Sequence, residues 1–337
     1  MKPRVLLLRP EEDGYSALDQ SAGARLAWRH GPLADLIQLE EDDFNPGARK
    51  GLEEKARQWG ENVSGIVGAT SVPQSSRLGE IAEQMNILCF VANNNPSVWQ
   101  GRRHVFHIGL PTTQTAEAVA HVLARASFAR AFLLHDQTEF QNRVATSMKS
   151  ALERRDIRVG SGSDTDAGWM DQIAGSNADL VYLVYSAERK ALPLARACKD
   201  ALPKTPLLFG RSLLRQSFIE SLGSGAEGAL FVDLFRRGAS QSAQEKAFMS
   251  ALSEEALSIA TANHGFGWDA MTLCGRALSS AQGNVSNAID YLESGVSLDG
   301  VTGSFRFNKE NHNGREGFGP TRISRWCNGR LEEAFDA

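Results

Sequence analysis

The segment Val63-Ser-Gly-Ile-Val-Gly68, followed by Ala69-Thr-Ser71, decides the fold of this chain. It is a short apolar run that ends in small polar residues, and a helical segment follows it over Ser75–Asn86. A second apolar run, Ile87-Leu-Cys-Phe-Val-Ala92, ends in Asn93-Asn-Asn95. Strand, polar loop, helix and strand in this order predict a parallel α/β sheet. Ligands of such sheets bind beyond the carboxyl ends of the strands, which is where both polar loops lie.

The same alternation extends over most of the chain. Further strands are predicted at Val5–Leu8, Ala34–Leu39, Val105–Gly109, Ala131–Leu134, Asp179–Tyr185, Pro206–Phe209 and Gly228–Val232. Further helices are predicted at Ser16–His30, Pro46–Gly60, Thr113–Ala126, Gln141–Arg154 and in a segment through Lys199. The glycine-rich segment Gly160–Gly168 is interpreted as a loop. After Phe235 the pattern changes to consecutive helices over Gln244–Leu278 and Val285–Glu293, and then to a β-rich tail with a hairpin turn at Asn328-Gly329.

Length and composition restrict the class of protein. The 337 residues, 42% of them hydrophobic, are about right for two domains. A net charge of -4 gives no sign of a nucleic-acid partner, and no apolar run is long enough to span a bilayer. The start of the chain is interpreted as a strand rather than a signal peptide, so we expect either a cytoplasmic protein or a mature form without its leader. The four scattered cysteines have no metal-binding spacing and are expected to be buried thiols.

The chemical motifs favour binding over catalysis. No nucleotide-binding loop, nucleophile elbow or metal-binding helix motif is present, and the pair His104 and His107 is expected on opposite faces of a strand. No metal and no cofactor is therefore predicted. Thr70 and Ser71 precede a helix and are either an ordinary cap or a seat for an anion. Arg211 follows a strand and is either a surface arginine or a clamp for a carboxylate.

Several segments together resemble the type I periplasmic solute-binding proteins, the Leu/Ile/Val- and amide-binding receptors of ABC transporters. The similar segments, in the order of the family, are Gly65-Ile-Val-Gly68, Asp136-Gln-Thr-Glu-Phe140, Gly225-Ala-Glu-Gly228, Trp268-Asp-Ala270, Gly300-Val-Thr-Gly303 and Phe305-Arg-Phe-Asn308. The resemblance implies two Rossmann-like lobes with parallel sheets, joined by a three-strand hinge that closes on a ligand. The implied lobes are 1–114 with 237–317 and 115–236 with 318–337. The implied crossovers lie near Thr112–Thr115, Asp233–Arg237 and Gly314–Gly319.

The resemblance also implies a set of ligand-binding residues. By position they are Tyr15, Thr70, Ser71, Asn93, Asn95, Phe140, Tyr185, Ser186, Arg211 and Ser212. Tyr15 or the adjacent Ser16 corresponds to the aperture residue, and Ser71 or Val72 to the hydroxyl that binds a carboxylate. Asn93 corresponds to a backbone acceptor and Asn95 to a second donor. Phe140 stands where the family often has a tyrosine.

Two departures from the family pattern concern the ligand. Ser212 stands where the amino-acid binders carry an acid for the α-ammonium group, and Arg211 lies beside it. Because an unpaired buried charge is costly, this exchange points to an organic acid or an amide rather than leucine. The loop after Leu8 also lacks the glycine-rich turn of the family, so the aperture is expected to be rebuilt around residues 9–15.

The leading hypothesis is therefore a monomeric periplasmic receptor that passes an amino acid, organic acid or amide to the membrane permease of an ABC transporter. A second hypothesis is a cytoplasmic ligand sensor of the same fold, similar to the amide-responsive regulators of amidase operons. A third, an α/β enzyme, requires a titratable pair in the cleft between the lobes, and the sequence offers no candidate.

Overall fold

The computed structural model describes residues 2–10, 15–44, 58–59, 63–93, 95–236, 241–315, 317 and 321–335. The chain divides into two compact units. Unit 1 consists of Met1–Pro111, Ala243–Leu257 and Asn263–Gly319, and unit 2 consists of Thr112–Ser242, Ser258–Ala262 and Pro320–Ala337. The short segment Ser258–Ala262 thus belongs to unit 2, although the residues on both sides of it belong to unit 1.

Strands and helices alternate through most of the described residues. The strands, in chain order, are β1 (Arg4–Pro10), β2 (Gln38–Phe44), β3 (Val63–Val67), β4 (Leu88–Val91), β5 (Val105–His107), β6 (Arg130–His135), β7 (Arg158–Ser163), β8 (Leu180–Val184), β9 (Leu207–Phe209), β10 (Leu230–Asp233), β11 (Leu298–Gly300), β12 (Gly303–Phe305), β13 (Arg322–Cys327) and β14 (Arg330–Phe335). The helices are Tyr15–His30, Leu33–Leu36, Val72–Met85, Thr112–Arg125, Glu139–Glu153, Trp169–Ser176, Glu188–Ala201, Gln216–Leu222, Ala243–Glu254, Ala262–Ser280 and Val285–Glu293.

The main sheet of unit 1 is parallel, with the strand order β2-β1-β3-β4-β5 in its described residues. Its central strands are apolar on both faces, as expected for a parallel sheet covered by helices on both sides. The order reverses between β1 and β3, which makes the carboxyl ends of these strands a topological switch point. The loop after β3 therefore lies where ligands of open α/β sheets bind.

Two helices of unit 1 cross in very close contact. A Cβ atom on Gly23, in the helix Tyr15–His30, would overlap the backbone carbonyl of His264 in the helix Ala262–Ser280. A Cβ atom on Gly267 would overlap the backbone carbonyl of Gln20 in the same way. The two glycines therefore let the backbones approach more closely than any other residue would permit.

The main sheet of unit 2 has the order β14-β13-β10-β9-β8-β6-β7 in its described residues. The strands from β10 to β7 are parallel, whereas β13 and β14 are antiparallel additions at one edge. The order reverses between β6 and β8, so the second switch point lies at the loops that follow these strands. The predicted hairpin at Asn328-Gly329 is confirmed, because Cys327 pairs with Arg330 and both turn residues have a positive φ.

One interpretation from sequence was wrong in unit 2. The segment Gly160–Ser163, taken as part of a loop, belongs to β7 and pairs with β6. A Cβ atom on Gly160 would lie 2.7 Å from the Phe132 ring, and one on Gly162 would lie 3.3 Å from it. The ring of Phe132 can lie over this edge strand only because both positions are glycine. Phe132 is distant from β7 in the sequence, so no local pattern indicates this packing.

Two further predictions differ from the structure in unit 1. The predicted strand Ala34–Leu39 is instead a short helix, Leu33–Leu36, followed by β2, which pairs with β1 from Gln38 onward. The predicted helix Ser75–Asn86 begins earlier, at Val72. The predicted helix Pro46–Gly60 falls almost entirely outside the described residues. No described helix is both long and apolar enough to cross a bilayer.

Candidate functional site

The candidate site of unit 1 consists of the loops that follow β3 and β4. The backbone N–H of Gly68 donates to the carbonyl of Phe90 at 3.3 Å, and that of Ala92 donates to the carbonyl of Ala69 at 3.4 Å. These bonds continue the pairing of the two strands beyond their ends. The loops that carry Thr70–Ser71 and Asn93–Asn95 are therefore held side by side.

The first loop has an unusual backbone. Ala69 has a φ of 64°, in the left-handed region that residues with a Cβ atom rarely adopt. Thr70 is half-buried, and the exposed Ser71 is the N-cap of the helix Val72–Met85, but its side chain makes no capping hydrogen bond. Strained backbone of this kind is concentrated at functional sites. The predicted hydroxyls thus lie at a helix N-terminus, where the helix dipole favours an anion.

Asn93 is buried, with 5% of its surface exposed. Its Oδ1 accepts a hydrogen bond from the backbone N–H of Asn95 at 2.9 Å, whereas its Nδ2 has no partner in the described structure. The Oδ1 of Asn95 accepts from the backbone N–H of Ser97 at 3.1 Å and caps the short 3-10 turn Pro96–Val98. The two asparagines therefore use their side-chain oxygens to shape the loop.

His107 controls the backbone of the second loop. It is fully buried, and its ring stacks on Trp99 with 3.8 Å between the ring centroids. Its Nε2 makes a hydrogen bond with the carbonyl oxygen of Asn93, and its Nδ1 lies 2.7 Å from Oδ1 of Asn313. A carbonyl oxygen can only accept, so Nε2 carries the hydrogen. No local pattern in the sequence indicates this role, since the spacing of His104 and His107 bears only on metal binding.

The other predicted residue of unit 1 is Tyr15. It is the first residue of the helix Tyr15–His30, but its side chain lies outside the described part of the structure. Residues 11–14, between β1 and this helix in the sequence, also lie outside the described residues. The prediction that residues 9–15 rebuild the aperture therefore stays a prediction.

The candidate site of unit 2 begins at the loops that follow β6 and β8. Asp136 accepts hydrogen bonds from the backbone N–H of Thr138 at 3.0 Å and from the ammonium group of Lys190 at 3.2 Å. Burial by itself would raise the pKa of Asp136, but the bonds from Thr138 and Lys190 outweigh it and hold the pKa below its ordinary value. The loop after β6 is thereby joined to the helix Glu188–Ala201, which follows β8.

The predicted aromatic and hydroxyl residues of unit 2 lie in different surroundings. Phe140, near the start of the helix Glu139–Glu153, is exposed, and Tyr185 is buried. Burial, together with the negative charge of Asp164, raises the pKa of Tyr185. The exposed Ser186 contacts the buried side chain of Gln141 at 3.0 Å, a contact that the sequence did not predict.

Arg211 follows β9 at the start of a 3-10 turn, Arg211–Leu213. Its Nη1 donates to the hydroxyl of Thr115 at 3.1 Å, and burial lowers its pKa to about 10 despite the neighbouring Tyr182. The hydroxyl of Ser212 points to the backbone carbonyl of Tyr185 at 3.4 Å. A guanidinium group that is only partly exposed to water, as here, is better able to bind an anion than a fully hydrated one.

The described residues contain no candidate metal centre. No group of three or more His, Cys, Asp or Glu side chains in them could hold an ion. His104 lies 2.9 Å from Glu83, whereas His107 contacts Asn93, so the two histidines serve different contacts.

The sequence of the chain matches a known family. The model described as "Periplasmic binding protein" matches residues 37–327, which is most of the chain. No curated protein sequence matches this chain.

Solved structures share the fold over the full length of the chain. A leucine binding protein, LivK, from Thermotoga maritima MSB8 is 17% identical, with a TM-score of 0.76 and coverage of 100% of this chain and 98% of the other. LivJ from Streptococcus pneumoniae, solved with isoleucine, is 16% identical, with a TM-score of 0.79 and coverage of 100% and 99%. A solute binding protein from R. palustris, solved with benzoate, is 16% identical, with a TM-score of 0.75 and coverage of 100% and 96%.

Proposed function

Because the chain belongs to the type I periplasmic binding protein family, we propose that it is the extracytoplasmic solute-binding receptor of an ABC importer. The solute is a small amino-acid-like compound or organic acid, clamped between the two lobes. The observation that carries this proposal is the placement of polar loops at the switch points of both sheets. In open α/β sheets, loops at this position bind ligands, and binding alone requires no catalytic group.

The residues proposed to contact the solute come from both units. In unit 1 they are Tyr15, Thr70, Ser71, Asn93 and Asn95. In unit 2 they are Phe140, Tyr185, Ser186, Arg211 and Ser212. The proposed partners are the solute and the membrane permease that receives it, and the proposed receptor acts as a monomer without a cofactor.

The chemistry of these residues favours a solute with an anionic end. The first loop of unit 1 presents a helix N-terminus, and unit 2 contributes the guanidinium group of Arg211. The R. palustris protein that shares this fold was solved with benzoate, and the S. pneumoniae protein with isoleucine. Both compounds carry a carboxylate, so both classes belong in the first screen.

A thermal-shift screen of the purified full chain tests the proposal. The panel contains leucine, isoleucine, 4-methylpentanoate, benzoate, dicarboxylates and small amides. A compound at about 100 times its dissociation constant adds roughly 2.7 kcal/mol to the free energy of unfolding, which a melting curve resolves easily. If no compound of these classes raises the melting temperature, the proposed solute class is wrong.

The second candidate is a cytoplasmic sensor of the same fold. One observation favours it, namely that all four cysteines are free thiols and Cys89, Cys198 and Cys274 are buried. Fractionation of cells that express the native gene separates the two candidates. A processed protein in the periplasm supports the receptor, and an unprocessed protein in the cytoplasm supports the sensor.

A further inference from the structure

We propose that Asn93 binds the solute through its side chain, with Nδ2 donating a hydrogen bond to a carboxylate or carbonyl oxygen of the ligand. His107 is the positioning residue that makes this possible, because it occupies the backbone carbonyl of Asn93. This inference rests on the proposed function, and it specifies that Asn93 donates a hydrogen bond to the solute rather than accepting one from it. The family resemblance implied the opposite polarity at this position, a backbone oxygen that accepts.

The backbone carbonyl of Asn93 is bonded within its own unit. Its oxygen accepts a hydrogen bond from Nε2 of His107, which is fully buried and stacked on Trp99. A Cβ atom on Gly109 would lie 3.2 Å from the same oxygen and 2.8 Å from Nε2 of His107. The carbonyl thus already has a donor from its own unit, and a side chain added at Gly109 would press on both groups.

The side-chain amide of Asn93 is the group proposed to bind the solute. Its Oδ1 accepts from the backbone N–H of Asn95, and this bond fixes which end of the amide is oxygen and which is nitrogen. The Nδ2 group is buried and has no partner in the described structure. A buried donor without a partner is destabilising, so a ligand oxygen that accepts from it recovers that free energy.

The loop after β3, next to Asn93, also presents donors to a ligand. Ala92 and Ala69 are joined by a backbone hydrogen bond, so Asn93 follows directly from the point where the two loops meet. The neighbouring loop leads to the N-terminus of the 14-residue helix Val72–Met85, whose N-cap Ser71 makes no side-chain capping bond. A helix N-terminus presents donors and a positive partial charge. Both loops therefore present donors that favour a ligand oxygen over an ammonium group.

The test uses two substitutions at the site and one control. Asn93→Asp keeps the shape of the side chain but replaces the donor with a negatively charged acceptor. His107→Phe keeps a ring on Trp99 but removes the Nε2 donor and so frees the carbonyl of Asn93. Asn287→Asp is the matched control, because Asn287 is exposed on the helix Val285–Glu293 and belongs to neither loop.

The probes are benzoate, 4-methylpentanoate and leucine, measured by titration calorimetry on the full chain. We expect Asn93→Asp to weaken the binding of each probe that the wild type binds by about 10-fold or more, which corresponds to about 1.4 kcal/mol, while Asn287→Asp binds normally. We expect His107→Phe to shift the preference from 4-methylpentanoate towards leucine, since the freed carbonyl can accept from an ammonium group. Melting curves without ligand check that each variant is folded.

The outcomes separate this inference from the proposed function. If the wild type binds a probe and Asn93→Asp binds it equally well, the inference is wrong and the receptor function stands. If neither the probes nor the compounds of the wider screen bind to the wild type, the proposed function is wrong and the inference falls with it. If His107→Phe does not fold, the comparison of Asn93→Asp with Asn287→Asp still decides the role of Asn93.

Discussion

The carboxylate of Asp269 accepts hydrogen bonds from both the backbone N–H of Thr302, at 2.9 Å, and the hydroxyl of the same residue. It also accepts from the backbone N–H of Val301 at 2.7 Å. The sequence segments Trp268-Asp-Ala270 and Gly300-Val-Thr-Gly303, which were separate points of resemblance, are therefore two halves of one buried contact. Gly300 is required there because a Cβ atom would lie 2.6 Å from the carboxyl carbon of Asp269.

Arg315 extends this contact to the segment that follows β5. Its guanidinium group donates to the hydroxyl of Thr302 at 2.7 Å and to the carbonyl of Gly109 at 3.0 Å. Arg315 and Asp269 are both buried, so each donor and acceptor in this network depends on the others. The network fixes the segment Ile108–Gly109, which leads into the chain crossing after Pro111.

The first prediction concerns the loss of Asp269. Asp269→Ala leaves the donors of Val301 and Thr302 buried and unpaired, and we expect it to lower the free energy of unfolding by roughly 2–4 kcal/mol. Burial raises the pKa of Asp269 to about 6, against the opposing effects of Thr302 and Arg315, so urea unfolding is measured at pH 8. The control is Asp299→Ala, which removes only an exposed bond to Ser304. Equal effects of the two substitutions would contradict the prediction.

The second prediction concerns the helix crossing of unit 1. In Gly23→Ala the new methyl group would overlap the carbonyl of His264, so the helices must move apart, and we expect a loss of about 1–3 kcal/mol of stability. Gly175→Ala is the matched control, because nothing lies within 4 Å of its Cβ position in the helix Trp169–Ser176. The control should be neutral or slightly more stable than the wild type, since alanine favours the helix. A Gly23→Ala protein that melts at the wild-type temperature would refute the close crossing.

The third prediction concerns acid stability. The folded pKa of Asp136 is depressed, so its hydrogen bonds stabilise the fold above the unfolded pKa of about 3.9 and are lost as the pH falls through the folded value. We expect Asp136→Asn to reduce stability by about 1 kcal/mol at pH 7 and to have a smaller effect with each step below about pH 4. Asp200→Asn, on an exposed position of another helix, is the control. A difference between Asp136→Asn and wild type that is the same at pH 7 and pH 3 would contradict this assignment.

The fourth prediction concerns Arg211. Arg211→Met keeps much of the side-chain volume but removes the charge, and we expect calorimetry to show loss of binding for carboxylic acids but not for neutral amides. The control is Arg189→Met, which removes an exposed arginine from the helix Glu188–Ala201. The alternative is that Arg211 pairs with a structural acid such as Glu188, whose side chain accepts a hydrogen bond from the hydroxyl of Ser217 at 2.9 Å. Tight leucine binding that Arg211→Met leaves unchanged would show that the charge of this site was misinterpreted.

The sequence by itself determined the order of the strands and helices and the class of fold. Apolar runs, helical periodicity and the turn Asn328-Gly329 are local signals, because they depend on residues a few positions apart. They were sufficient to predict the parallel sheets and to locate polar loops at the strand ends. They failed for Gly160–Ser163, where the composition favours a loop and only the ring of Phe132 explains the strand.

Only the tertiary structure decided which atoms of the candidate site are available to a ligand. The residue type of Asn93 offers both an amide and a backbone carbonyl, and the family resemblance implied that the carbonyl binds the ligand. Asn313 lies 206 positions from His107 and contacts Nδ1 of its ring, and Nε2 of the same ring donates to the carbonyl of Asn93. The physical reason is that hydrogen-bond partners inside a folded chain are set by packing between distant segments, and no local pattern records them.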